Sequence, residues 1–572
     1  MRIFLCLIAI VASACASLQR FRTPAAQAAP PQRAVRPIPY PVFETRAFTR
    51  AVQAGTRTRT GEPGPNYWQQ YAHYRIDAEL VPATSQLNGR ETVRYYNRSP
   101  DTLRTIWIHL NQNLFAAGAP RSDATPVTGG TEVLRVAAGG QALAKRDTGT
   151  GYSIKSTLLR VGPPRAIPPN DSLDLDIAWA FQVPPDGAPR EGTTGDVFMV
   201  AYWYPQIAVY DDVTGWQIDP YLGNAEFYMD YADYDVNISL PQGWLVGATG
   251  ELTNPNDVLS VQTRNRLAES KRSASVVRVV RDGDRGAGAT KATNTGFDGV
   301  LTWRFRARNV RDFDWGASAK FLWDATVAVV GDRDRDGRSD TTAINTFYRP
   351  EARAWSWDKS GDYERSVVEF LSTYLWPYPW PQMTALEGPV SCTGMEYPML
   401  TCIGGPRDTL SLYSVQIHET AHMWFPMQVG SDERRYAWQD EGLTRFNQAQ
   451  ACKRSSRDST ASESRATRTS RLHERTARWR SCATAISTRT GRPPIASRRT
   501  RRWRQTWSRC ARFSATKPFC RAIARTDCAG NTGIRRNMIS LTASIRWVER
   551  TCRGSGARGG TRHGHWIKRS SR

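Results

Sequence analysis

Two histidines four residues apart, with a glutamate directly after the first, form the most chemically specific feature of this 572-residue chain: His418-Glu419-Thr420-Ala421-His422. The surrounding stretch from Leu412 to Phe425 contains no Gly or Pro, so it can be one helix. Residues at i and i+4 lie one above the other on a helix face, and both imidazoles can then reach a single zinc ion. Glu419 would project towards the open coordination position, where a carboxylate can take a proton from bound water. The first 450 residues hold only four histidines (His73, His109, His418 and His422), so chance assembly of the pattern is a weak rival. The bland alternative is a buried helix whose histidines merely pack. A catalytic zinc takes three protein ligands and keeps a fourth position for water. Eighteen residues separate His422 from Glu441, which stands in Trp438-Gln-Asp-Glu-Gly442. A short helix starting near Asp440 would put Glu441 in its first turn as the third ligand, where a carboxylate also suits the helix dipole. Asp440 is either a partner of a ligating histidine or an N-cap.

This spacing, with Glu441 in its Trp-x-Asp-Glu-Gly context, resembles the membrane alanyl aminopeptidase family of gluzincin zinc peptidases. Upstream, Gly394-Met395-Glu396-Tyr397-Pro398 resembles that family's Gly-x-Met-Glu-Asn motif in the form used by a bacterial subgroup, with Tyr397 where Asn is usual. Asn66-Tyr-Trp-Gln-Gln70 and the stretch from Trp203 to Asp212 extend the resemblance over residues 65–450. It implies one zinc per chain as cofactor and peptides with a free N-terminus as partners. It also implies that Glu396, flanked by Gly394 and Met395, binds the free α-amine. The family further uses a tyrosine several tens of residues beyond the zinc glutamate to stabilise the tetrahedral oxyanion. Cys392 and Cys402 flank the Gly-Met-Glu-Tyr-Pro segment and can pair in an exported protein; two free buried thiols are the alternative. A function of another class is a non-catalytic, zinc-stabilised peptide-binding or scaffold protein of the cell envelope.

The elements that must position these residues read as α+β. From Tyr67 onward, apolar and polar residues alternate with β-branched and aromatic content, as in Tyr74–Leu80, Glu91–Tyr96, Thr105–Leu110, Phe227–Tyr231, Val236–Leu240 and Leu301–Phe305. These predict strands, with Asn88-Gly89 and Ser99-Pro100 as turn signals. Residues 65–330 are expected to form an N-terminal β-rich domain of saddle or sandwich form. The periodicity then turns helical, with Tyr363–Tyr374 as its first clear helix, and predicts a thermolysin-like, mainly helical zinc domain over 345–450. Asp332-Arg-Asp-Arg-Asp-Gly337 resembles the start of a calcium loop, but its twelfth position is Ala343 where a bidentate glutamate is required. A solvated turn is the better reading.

The two ends of the chain differ from the body. Arg2, the apolar run Ile3–Val11 and Ala-Ser-Ala-Cys-Ala read as an export signal over residues 1–16, too short to span a bilayer. Cleavage after Ala16 or lipidation of Cys15 would follow, giving a periplasmic or secreted protein, or a cell-envelope lipoprotein with membrane anchoring. Residues 17–64, rich in Pro, Ala and Arg, read as a linker. At the other end, residues 451–572 contain 31 basic and 5 acidic residues, leaving 46 and 48 in the first 450. All of the chain's net charge of +24 therefore belongs to the tail. A folded body without a basic footprint argues against nucleic acid as a partner. The tail has none of the 21 tyrosines, and Arg, Ser and Thr fill 59 of its 122 positions, a composition that cannot build a core. Read one frame over, residues 481–491 and 550–562 decode to strings resembling the C-terminal part of the same family. The tail is thus expected to be a frameshift product, disordered or non-native, that lacks the family tyrosine.

Overall fold

The computed structural model describes residues 44–466 apart from 274, 286–290 and 406, and side chains up to 454. The expected export signal, Cys15 and nearly all of the tail lie outside the described residues. The chain divides into two units, residues 1–49 and 50–572. Of the first, only 44–49 are described, and they open a helix, Arg46–Gln53. The stretch read as a linker up to 64 therefore contains regular structure. Its Arg57 guanidinium makes a buried ion pair with Asp212 at 2.6 Å, which ties the end of that stretch to the β-rich body.

An eight-stranded sheet forms the first half of the body. Its order is Glu251–Leu252, Val300–Val310, Ala232–Pro241, Tyr71–Val81, Gln86–Tyr96, Ser172–Gln182, Glu132–Ala138 and Gln141–Ala142. Strict alternation produces it: in Tyr71–Val81, Tyr74, Ile76, Ala78 and Leu80 point inward while Arg75, Asp77 and Glu79 point to solvent. Period-two burial fixes both face and register. The predicted turn at Asn88-Gly89 is not one. Both residues lie inside Gln86–Tyr96, opposite Glu79 and Ala78, and the chain reverses at 82–85, where Ser85 takes φ 54°. Gly89 has a packing reason instead, because a Cβ there would overlap the Trp179 indole. Phe227–Tyr231 is not a strand either; it is an irregular stretch with Phe227, Tyr228, Met229 and Tyr231 buried.

The second half is less helical than its sequence suggests. It is built on a six-stranded mixed sheet, ordered Val277–Val280, Leu322–Gly331, Asp340–Tyr348, Gln382–Gly388, Leu400–Gly404 and Met395–Tyr397. A boundary between 330 and 345 would cut the hairpin of its second and third strands. The acidic loop is the turn of that hairpin. Asp332 accepts hydrogen bonds from the amides of Asp336 and Gly337 at 3.1 and 3.0 Å, so its carboxylate is engaged with its own backbone. One helix, Ser360–Tyr374, lays Val367, Val368 and Leu371 on this sheet. Helices dominate only from Thr409 onward.

Candidate metal centre

Asp408 starts the helix Thr409–Ala421 by accepting a hydrogen bond from the Ser411 amide at 2.8 Å, an N-cap that satisfies one of the exposed amides of the first turn. The helix is buried on two opposite faces. Gln416 and Thr420 point back at Ser360–Tyr374, where both meet the buried carboxylate of Glu364. Gln416 Nε2 donates to it at 2.6 Å and Thr420 Oγ1 at 2.7 Å. Burial pushes the Glu364 carboxyl up to about 7, and these two hydrogen bonds pull against that rise. His418 and His422 point the other way, and their Nε2 atoms face each other at 3.3 Å.

The third converging group arrives from a tight piece of backbone. Trp438–Gly442 is a π-helical turn leading into the last helix, Leu443–Ala466, so Glu441 precedes that helix rather than sitting in its first turn. Its Oε2 lies 3.5 Å from His418 Nε2 and accepts a hydrogen bond from Arg445 Nε at 3.2 Å. Gln448 fixes the last helix to the histidine helix by donating to the Ser414 carbonyl at 2.6 Å. Asp440, fully buried, lies 2.7 Å from His422 Nδ1. The Nδ1–H donates to the Phe425 carbonyl at 3.1 Å with the Asp440 carboxylate beside it, so the lone pair is left on Nε2.

One ligand atom from each of His418, His422 and Glu441 lies within 4.8 Å of the others. Two imidazole nitrogens and a carboxylate aimed at one point repel each other unless a cation lies between them, and the donors match the two-histidine, one-carboxylate set of catalytic zinc. The residues fit the metal. The acids around His422 act in the same sense: burial disfavours its charged form, but Glu396, Asp440 and Glu441 together drive its pKa well up.

Glu396 sits on Met395–Tyr397, paired antiparallel with Leu400–Gly404, so that Glu396 is opposite Thr401 and Met395 opposite Cys402. Cys392 and Cys402 are bonded to each other, with Cα atoms 6.1 Å apart. Gly394 leaves room that any side chain would fill, since a Cβ on it would lie 3.0 Å from Glu419 Cδ, overlap Oε1, and lie 3.2 Å from Val415 Cγ1. The Tyr397 hydroxyl donates to the carbonyl of Arg190, tying the motif strand to the first half of the body.

Two residues of this neighbourhood carry no signal in the sequence. The Arg190 guanidinium pairs with Glu226 at 2.6 Å and donates to the Ala225 carbonyl at 2.7 Å. Burial pushes the Glu226 carboxyl up to about 7; Arg190 opposes the rise, while Asp440 and Glu441 add to it. Glu396 is pushed well above the usual range, first by burial, with His422 opposing and Glu226, Asp440 and Glu419 reinforcing. Glu226 is thus one of the acids around the centre, but it comes from a loop nearly two hundred residues upstream of the zinc motif.

No protein-family model matches the chain, and no curated protein matches it. Among solved structures it is similar to an M1 zinc metallopeptidase from Deinococcus radiodurans, at 15% identity and TM-score 0.46, over 86% of this chain and 93% of that one. It is also similar to a mutant of that enzyme bound to a Tyr-Ser-Ala substrate, at 14% identity and TM-score 0.49, over 86% and 95%. A two-domain M1 zinc metallopeptidase mutant bound to L-tryptophan gives 15% identity and TM-score 0.47, over 86% and 95%. The chemistry open to the centre rests on its own residues.

Proposed function

We propose that the chain is a zinc-dependent aminopeptidase that removes the first residue from peptides with a free N-terminus, and that the frameshifted tail impairs it. One observation carries the reading: the ligand atoms of His418, His422 and Glu441 converge, and the carboxylates of Glu419 and Glu396 stand within 4.8 Å of His422 and of each other. Zinc bound by the first three would polarise the scissile carbonyl and acidify a water molecule. Glu419 takes the proton from that water and returns it to the departing amine, the general acid–base role its position allows. Glu396 receives the substrate ammonium, and a fixed anion beside the reacting bond limits cleavage to the first residue. The Phe425 carbonyl holds the His422 ring in one tautomer through Nδ1, and the Asp440 carboxylate 2.7 Å away adds a negative charge behind it. The oxyanion-stabilising tyrosine that the resemblance implies would fall in the tail, which has no tyrosine.

The test is aminoacyl-anilide hydrolysis with and without a chelator, on the written chain and on one with the reading frame restored after codon 450. Weak or absent turnover is expected for the first and chelator-sensitive turnover for the second. Full chelator-sensitive activity of the written chain would refute the impairment. A restored chain that binds zinc without hydrolysing any anilide would favour the scaffold reading.

A further inference from the structure

A buried ion pair links the β-rich half to the metal centre. Arg311 directly follows the strand Val300–Val310, and Glu433 opens the short helix Glu433–Ala437, which runs straight into the Trp438–Gly442 turn. Arg311 is 2% exposed and Glu433 5%, and Arg311 Nη1 donates to Glu433 Oε1 at 2.5 Å. The same nitrogen donates to the Pro426 carbonyl at 3.3 Å, and Arg311 Nε to the Met229 carbonyl at 3.4 Å. Glu433 Oε2 accepts from the Phe227 amide at 3.3 Å. Each contact falls on a segment that carries a group of the centre. Pro426 adjoins Phe425, whose carbonyl takes the His422 Nδ1–H. Glu433 begins the stretch that brings in Asp440 and Glu441, and Phe227 follows Glu226. The guanidinium therefore fixes, relative to one another, the loop behind His422, the turn that carries Glu441 and the loop that carries Glu226. Tyr231 repeats the tie: its hydroxyl donates to the Gln428 carbonyl and accepts from the Gly430 amide, both at 3.0 Å. Stability does not require an ion pair here, since well-packed apolar residues in place of a buried pair are often as stable or more so. What an apolar pair cannot supply is directed hydrogen bonds to three acceptors from one planar group.

We propose that Arg311 and Glu433 are positioning residues for the metal centre: their pair sets the spacing between His422 and Glu441, and with it the zinc affinity of the centre, while touching neither metal nor substrate. The proposal rests on the zinc part of the proposed function and not on the aminopeptidase part.

The full chain and its variants are compared by zinc dissociation constant, from competition with a chromophoric chelator, and by urea midpoint in the zinc-free form. Arg311→Met combined with Glu433→Met replaces the pair by apolar side chains. The midpoint of this double variant should stay near that of the parent, while its zinc affinity falls about 10- to 100-fold, as it does when a group supporting a ligand is lost. Loaded with cobalt(II), it should show visible bands moved towards those of Glu441→Gln, a change that a purely structural pair would not cause. Arg311→Lys keeps the charge without the planar fork, and its zinc affinity should fall between those of the parent and the double variant. Unchanged zinc affinity and cobalt spectrum in the double variant overturn the proposal. So does a loss of affinity, in either variant, no larger than its drop in midpoint accounts for. Should the double variant not fold, Arg311→Lys decides: parent-like affinity overturns the proposal, and a weakened site at the parent's midpoint supports it. A parent chain that takes up no stoichiometric zinc overturns the proposed function together with this inference. Zinc uptake by the parent with no effect in the variants removes only the positioning role.

Discussion

At the scale of single residues, the proposed reaction divides the centre into groups that would meet a reactant and groups that hold those in place. Glu419→Gln keeps the shape and removes the proposed base. Turnover of the frame-restored chain should fall by about 10²–10⁴-fold, the usual worth of general acid–base catalysis, with zinc content unchanged; a variant that keeps its rate would exclude Glu419 as the base. Gly394→Ala acts on the same carboxylate by contact. The added Cβ must displace Glu419 or the strand, so we expect a loss of stability of about 1–3 kcal/mol, typical of overpacking, together with a rate loss greater than the unfolded fraction explains. Denaturation and rate measured on one preparation separate the two. The convergence of His418, His422 and Glu441 is legible in the sequence because a shared metal would dictate both residue type and spacing. Asp440 was legible only as an ambiguity, since a ligand's partner and an N-cap look alike in sequence. Glu364, Glu226 and Arg190 were not legible at all. Their roles depend on which distant elements lie against the site, and an isolated acid in a sequence reads as a solvated one.

At the scale of elements, Glu364 joins two helices through hydrogen bonds to Gln416 and Thr420. Glu364→Leu would strand the Thr420 hydroxyl in the interior, at about 1–3 kcal/mol for an unmet group, would leave Gln416 Nε2 only its bonds to Ser360, and would loosen the helix that carries His418 and His422. Zinc affinity should fall although no ligand is changed, and Glu364→Gln should recover much of it; calorimetric zinc titration of both variants is the check. The bond between Cys392 and Cys402 closes a short loop, with a sequence separation of 10, for which chain entropy gives about 2–3 kcal/mol. Reduction under non-denaturing conditions should lower the urea midpoint accordingly, and Cys392→Ser should show no further response to reductant. Strand alternation was the readable part of the elements. The six-stranded sheet was not recovered, because strands such as Gln382–Gly388 are buried along their whole length and lose the alternation that announces a half-buried strand. Asn88-Gly89 misled for a related reason: a turn pair and a glycine that makes room for a tryptophan look the same without the tryptophan's position.

At the scale of the whole molecule, two buried groups set opposite pH limits. His109 is driven down to about 3 by loss of solvation, so the folded chain refuses a proton that the unfolded chain accepts near 6.5. The stability tied to it is complete above that pH and is lost as pH falls towards 3. Burial pushes the Glu191 carboxyl up to about 8; its contribution is complete below about 4.5 and is lost as pH rises through 8. Between roughly 4.5 and 6.5 the slopes of these two groups oppose each other, at up to about 1.4 kcal/mol per pH unit each, and Glu364, Glu226 and Asp230, also raised by burial, add to the alkaline side. Urea midpoints measured across pH should therefore drop on both sides, with His109→Gln flattening the acid limb and Glu191→Gln making the alkaline limb shallower without removing it. An acid limb unchanged in His109→Gln would assign it to other groups. The charge asymmetry belongs to this scale too: a body with 46 basic and 48 acidic residues carries a tail with 31 and 5, so the isoelectric point of the chain describes the tail.

The helix Thr409–Ala421 has one further consequence, for how its sequence can change over time. One face is committed to His418 and His422 and the opposite face to Glu364 through Gln416 and Thr420, both at a spacing of four. Drift along this helix is therefore restricted at two interleaved sets of positions rather than one. Positions 364, 416 and 420 should vary together among relatives or not at all, and an aligned set of homologous sequences would reveal the second face as a covarying trio with no metal chemistry of its own.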